Sequence, residues 1–347
     1  MAKIRTMADI EAFERVPLSE RHLPTSTYEA LRRGAAKNPG KTALYFFSRG
    51  EDYERPVEIT FEQFMRRIRQ TANLLHSVGV GPGDVVSVIL PNLPQTQFAL
   101  WGGEAAGIAN PINPLLEPDT IRDILNAAGT KVLITLGPVP GSEIWPKVSK
   151  VVNQVPSLKT VLQVMGKGDA HEHVILYDEV IDQFDATQLL SGRQIGPEDP
   201  AAVFHTGGTT GTPKLAIHTH GNEVFTTWAT SEFIDLVESD VVLLGTPLFH
   251  VHGAICFSLM PYSVGVSTVL SGSRGYRDPM VVGNLWKILQ MYRVSILAGC
   301  SELVRCAIGV TPGRSRPELC EICLFRSRAD AGGSLSRLRE ENGHPDP

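Results

Sequence analysis

One stretch concentrates the residue types that chemistry would use. Thr206-Gly207-Gly208-Thr209-Thr210-Gly211-Thr212-Pro213-Lys214 follows directly on an apolar run ending at Phe204. Its three glycines let the backbone approach a ligand closely and turn N–H groups toward it, its four threonines add hydroxyl donors, and Lys214 adds a positive charge. A nucleoside triphosphate, dense in negative charge and acceptor oxygens, is what such a loop suits. The bland alternative is a flexible surface turn. A Walker A reading fails because Pro213 stands where a glycine should precede Lys214, and Leu215 replaces the magnesium-binding hydroxyl. Gly79-Val80-Gly81-Pro82-Gly83 precedes a strand instead of following one, so it reads as a turn and not as a dinucleotide fingerprint. His218, His220, His250 and His252 make a metal cluster conceivable, but no nearby pattern of acids supports it and no metal is assigned. Trp228 could stack on a ligand, though in an apolar helix it reads first as core.

The elements that must position the loop alternate along the chain. Thr60 with Gln63 reads as a capping box ahead of Phe61, Phe64, Ile68, Ala72 and Leu75 at helical spacing, and Gly79 ends the run. Val85–Leu90 reads as a buried strand, 98–108 as a small-residue helix that the cluster Asn110-Pro111-Ile112-Asn113-Pro114 breaks, 119–128 as a helix and 131–135 as a strand. A second series begins near 200, with strands at 201–204, 215–218, 241–244, 266–270 and 294–297 and helices from about Asn222 and over 286–292. Alternation of this kind implies right-handed βαβ units, an α/β fold of two packed subdomains with largely parallel sheets. The expected division is an extension at 1–22, a first subdomain at 23–195, a second at 196–310 and a tail at 311–347. That tail holds six residues of the Val, Ile, Leu, Met, Phe, Trp and Tyr set and is expected to be disordered.

Composition bounds the partners. At 42% hydrophobic and 20% charged residues the chain is ordinary globular protein, and a net charge of -5 argues against nucleic acid. No apolar signal segment opens the chain, and the uncharged run between Asp240 and Arg274 is interrupted by Gly245, Pro247, Gly253, Pro261 and Gly265. Buried strands joined by tight turns account for that run better than a membrane span, so a cytoplasmic protein is expected. The five cysteines are odd in number and clustered late, which is no disulfide framework; Cys320 and Cys323 have CxxC spacing without a second pair.

Thr206 to Lys214, followed by His218, His220 and Asn222, resembles the phosphate-binding signature of the adenylate-forming (AMP-binding) enzymes, acyl-CoA synthetases among them. Pro247-Leu248-Phe249-His250-Val251-His252-Gly253 is similar to their second motif, and Leu90-Pro91-Asn92 with Asn110–Pro114 also matches. The resemblance implies the N-terminal large domain of that family, incomplete here. It implies ATP-dependent activation of a carboxylic, chiefly fatty, acid through an acyl adenylate to a CoA thioester. ATP, magnesium and coenzyme A come with it. By the same resemblance Thr206, Gly207, Gly208, Thr209, Thr210, Gly211 and Lys214 hold the phosphates and His250 borders the acid. The family's Tyr-Gly-x-Thr-Glu segment has no counterpart here, and neither does its carboxy-terminal catalytic lysine, so this chain is expected to be inactive alone; no catalytic residue is assigned. Two alternatives stay open: a non-catalytic nucleotide-binding fragment, and a metal-dependent hydrolase built on His218, His220, His250 and His252.

Overall fold

The computed structural model describes residues 4, 6–166, 174–206 and 214–300, together with the backbone of 322–326. Thirteen strands are found among these residues. They are β1 (Thr42–Phe47), β2 (Val57–Thr60), β3 (Val85–Ile89), β4 (Ile108–Pro111), β5 (Thr130–Leu136), β6 (Thr160–Val164) and β7 (Val174–Leu176). Then come β8 (Pro200–Thr206), β9 (Lys214–Thr219), β10 (Val241–Leu244), β11 (Ser267–Ser271), β12 (Ile296–Cys300) and β13 (Ile322–Arg326). The helices that matter below are α1 (Met7–Glu14), α2 (Thr27–Lys37), α3 (Phe61–Ser77), α4 (Pro94–Ala106) and α5 (Pro118–Ala127). After the short α6 (Ile144–Val148) and α7 (Tyr177–Val180) follow α8 (His220–Phe233), α9 (Met260–Val264), α10 (Pro279–Gly283) and α11 (Leu285–Met291).

Two sheets form, in the orders β7-β6-β5-β3-β4-β8-β9 and β13-β12-β10-β11-β1-β2. Each is parallel through its centre, while β8–β9, β1–β2 and β12–β13 pair antiparallel at the edges. The α/β class with largely parallel sheets is what the alternating pattern implies. The sheets interleave along the chain: β8 and β9 extend the sheet of residues 85–176, while β1 and β2 join strands from beyond residue 240.

Local sequence explains the local structure where the pattern is strong. The Thr60–Gln63 capping box opens α3, satisfying two N–H groups that would otherwise lack partners, and Gly79 at φ 86° closes it. Phe61, Phe64, Met65, Ile68 and Leu75 of α3 are buried, and α4 lies so close that a Cβ on Gly102 would stand 2.7 Å from Thr71 Cβ. Leu133, Ile134 and Val132 of β5 are fully buried, at about 1.5–3 kcal/mol per side chain removed from water.

Three expectations need correction. The helix placed at 98–108 begins at Pro94, whose ring presets the first-turn φ and whose missing N–H needs no partner there. Asn110 and Pro111 do not simply break it; they end β4, paired to β3, with Ile112 N–H continuing the ladder to Val88 O. The uncharged run after Asp240 is strand, helix, strand. His252–Leu259 is π-helical and runs into α9, the wide turn lying just ahead of Pro261, which has no N–H to give an ordinary helical bond. Among the described residues no helix is long and apolar enough to cross a membrane. Of the segment expected to be disordered, Ile322–Arg326 forms β13 against β12; the rest of 311–347 lies outside the described residues, as does Cys320.

Candidate functional site

Thr206 ends β8, Lys214 begins β9, and the two are paired across the antiparallel ladder, with Thr206 Oγ1 donating to Lys214 O at 3.3 Å. Both are exposed at the sheet edge. Gly207, Gly208, Thr209, Thr210 and Gly211 lie outside the described residues, as do Thr212 and Pro213. The loop therefore leaves and re-enters the sheet at one rung, a hairpin exit where its chain ends are fixed.

A cavity of about 470 Å³ opens beside β9. His218 of β9 lines it, with Asn222, Glu223 and Thr226 from α8, and His250, Val251, His252, Ile255 and Cys256 from the segment after β10. Thr219 caps α8 with a capping box to Asn222, which sets the direction in which that helix leaves the strand. His250 is exposed, and its Nδ1 accepts the N–H of His252 at 3.2 Å. The His252 ring meets Phe257 edge-on at 4.6 Å between centroids, and burial, with His250 nearby, lowers its pKa.

Behind the cavity wall lies a buried polar cluster. His218 Nδ1 is 3.1 Å from Glu223 Oε1. Glu223 in turn is hydrogen-bonded to Glu104 of α4, and Glu104 Oε2 accepts from Thr27 Oγ1 of α2 at 2.6 Å. Thr27 Oγ1 is also 3.0 Å from His220 Nδ1. Glu104 and Glu223 are 2% and 1% exposed, so burial raises both pKa values. The same loss of water keeps the imidazoles neutral: His218 is lowered, and His220 falls to about 4. Counted as two carboxylates, the pair would leave Glu223 Oε2 without a donor. A proton on Glu104 supplies it.

The fold brings His218, His250 and His252 to one cavity and leaves His220 out of it. His220 faces inward to Thr27, and among the described residues no group of three His, Cys, Asp or Glu could hold a metal. The metal-hydrolase reading finds no support here. Trp228 does not sit in the core: it is half-buried and stacks on Phe13 at 5.4 Å, and the Arg21 guanidinium covers both rings. Glu104, Glu223 and Thr27 escaped the sequence reading. The available signal was Glu104, the lone acid in an otherwise apolar and small-residue helix.

The model of the family described as AMP-binding enzyme matches residues 31–337. The chain belongs to that family. Its relatives include a marinolic acid–CoA ligase of Pseudoalteromonas sp. (strain SANK 73390), 30% identical over 302 residues, covering 85% of this chain and 46% of the relative. A long-chain-fatty-acid–CoA ligase of Bacillus subtilis (strain 168) is 30% identical over 263 residues, 70% of this chain and 45% of the relative. Among solved structures, an anthranilate CoA ligase in complex with anthranoyl-AMP superposes with a TM-score of 0.72 at 24% identity, over 84% of this chain and 53% of that one, a likeness of fold. The chain thus spans about half the length of the curated relatives it matches. In this AMP-binding chain the strands on either side of the loop are paired, and His218 of β9 lines the cavity.

Proposed function

We propose that these residues belong to a ligase that uses ATP to activate a carboxylic acid and passes the acyl group to coenzyme A. One observation carries the reading: the Gly/Thr loop starts and ends on paired residues, Thr206 and Lys214, at the open edge of the sheet whose β9 lines the cavity that His250 borders. The fit to a nucleotide is favourable, since neither Thr206 nor Lys214 is covered. Thr206 and Lys214, with Gly207, Gly208, Thr209, Thr210 and Gly211 between them, would hold the phosphates. There fixed donors favour the charge that shifts to the leaving pyrophosphate. His250 would border the carboxylate of the acid.

The described residues offer magnesium no open site of their own: Glu223 is the one carboxylate lining the cavity, and it faces Glu104 and His218. A fatty acid is the substrate we favour. The matching long-chain-fatty-acid and marinolic acid ligases act on acids named so, and Val251, Ile255 and Cys256 give the cavity an apolar wall.

Binding and turnover are separable in this chain, because it contains no Thr-Glu pair of the kind the family's third motif uses. Equilibrium binding of ATP to the 347-residue chain, with pyrophosphate exchange across a panel of fatty and aromatic acids, tests the reading. ATP binding that Lys214→Ala weakens by about tenfold, about 1.4 kcal/mol, supports it. Absence of ATP binding at millimolar nucleotide sinks it.

A further inference from the structure

Two acids that are both almost wholly buried demand an account. Glu104 sits in the last turn of α4 and Glu223 in the first turn of α8, and their carboxyl groups are hydrogen-bonded to each other. Two charged carboxylates at that separation, out of water, would repel strongly, and neither would have a donor for the other. The arrangement is satisfied by one shared proton. With Glu104 protonated, its O–H reaches Glu223, Glu223 Oε1 stays with His218 Nδ1, and Glu104 Oε2 still accepts from Thr27. The chain of contacts then runs His218–Glu223–Glu104–Thr27–His220 and ties four elements, β9, α8, α4 and α2, at one point.

We propose that Glu104 is a positioning residue: the proton it shares with Glu223 fixes the β9–α8 junction, and through it the return of the phosphate loop at Lys214 and the cavity wall of His218 and Asn222. This rests on the reading of that cavity as the ligand site. Glu104 itself touches no ligand, since it lies behind Glu223.

Every charged or titratable group around the pair is consistent with one proton held there. From β9, burial lowers the pKa of His218, against the opposing pull of Glu104. From α8, His220 is neutral. From α2, Thr27 contributes a hydroxyl and no charge. Arg193, from the segment before β8, directs Nη1 to the backbone oxygens of Glu104 and Gly107 at 3.1 and 3.2 Å, with Asp199 4.0 Å from its Nη2. No cation therefore bonds either carboxyl oxygen among the described residues, and removal of the proton sets two negative charges face to face.

The test uses the full chain, wild type and Glu104→Gln, across pH 6.5 to 9.5. The carboxamide of Glu104→Gln keeps a donor for Glu223 and an acceptor for Thr27 and cannot ionise. Hydrogen exchange of peptides covering 214–226, corrected for the intrinsic pH dependence, reads the junction directly. The expected result is loss of protection in wild type as pH rises through that range and retained protection in Glu104→Gln, with peptides of β5 unchanged in both. Identical profiles for the two proteins overturn the proposal. Glu104→Leu, which fills the volume but offers no donor, should lack that protection at every pH; protection equal to wild type there overturns it too. Affinity for ATP is measured alongside, and wild-type binding should weaken about tenfold between pH 7 and 9, about 1.4 kcal/mol, while Glu104→Gln holds constant. Failure of wild type to bind ATP at any pH removes the functional reading; exchange still decides the shared proton.

Discussion

The two sheets share one plan, a parallel centre with an antiparallel edge, yet their surroundings differ. Around the six-stranded sheet the covering helices are apolar, as with Val281 of α10 and Leu285 and Ile288 of α11 against Leu243 and Val269. The edge pair β1–β2 carries no cluster of buried titratable groups. At the opposite extreme, the β8–β9 edge of the seven-stranded sheet is followed by a helix that buries Glu223, His220 and Thr227. Where a sheet only has to hold together, its strands bury apolar groups with neutral hydroxyls and amides such as Ser87, Asn110 and Thr268 among them; where it has to place a loop and a cavity wall, acids and imidazoles are buried and must be satisfied one by one. Among the described residues the central strands of the seven-stranded sheet bury no acid, like those of its six-stranded counterpart, so the contrast lies at one edge and not between two folds.

Substitutions can break this contrast from either side. The largest loss is expected in the sheet centre: Ile134→Ala should cost about 2–5 kcal/mol by denaturant unfolding, the lost transfer energy plus the cavity left behind. A cost below about 1 kcal/mol would mean that β5 is not the packed centre described. At the β8–β9 edge, Glu104→Ala should cost about 1–3 kcal/mol at neutral pH, because Thr27 and Glu223 lose a partner, and Glu104→Gln distinctly less. If the alanine variant is as stable as the glutamine one, the cluster is not a satisfied network.

The pH dependence sharpens the comparison further. The carboxyl pair, with both pKa values raised from 4.5 by burial, contributes stability that is full below 4.5 and lost as pH rises through the raised values. His220, lowered from 6.5 to about 4, works the other way, gaining stability over 4 to 6.5 and nothing more above it. Above pH 6.5 the carboxyl pair is left unopposed by His220, at up to about 1.4 kcal/mol per pH unit for one proton. The wild-type melting temperature should fall across that window and that of Glu104→Gln should not; parallel curves would refute it. Next in size, Thr219→Ala, which removes the cap of α8, should cost about 1 kcal/mol. Smallest of all, Lys214→Ala at the exposed strand end should change stability by less than about 0.5 kcal/mol. A larger loss would make Lys214 a structural residue and weaken its assignment to the phosphates.

Legibility in the sequence followed the range of the interactions. The capping box of Thr60 and Gln63, the strands at 85 and 131, and the run from Thr206 to Lys214 are local, so periodicity and turn chemistry reveal them. The family resemblance carried by that run and by His250 is matched by the family model. What stayed hidden is non-local. Glu104 and Glu223 meet only because α4 and α8 pack together, and nothing near either residue names the other. Thr27 is further removed still. The strand ending in Asn110 and Pro111 was hidden for another reason: two prolines within five residues read as a break, whereas a proline at the end of a strand costs only the donor that strand no longer needs.

The interleaving of the sheets has a consequence for how the molecule comes into being. Leu44 of β1 lies opposite Thr268 of β11, so the first strand made must wait for one of the last before its parallel side is paired. During synthesis the amino-terminal part can complete β3 to β7, but β1 and β2 remain a two-stranded hairpin, marginal on its own, until β11 has left the ribosome. Assembly of the second sheet is therefore late and slow, set by closing a long loop more than by any local preference.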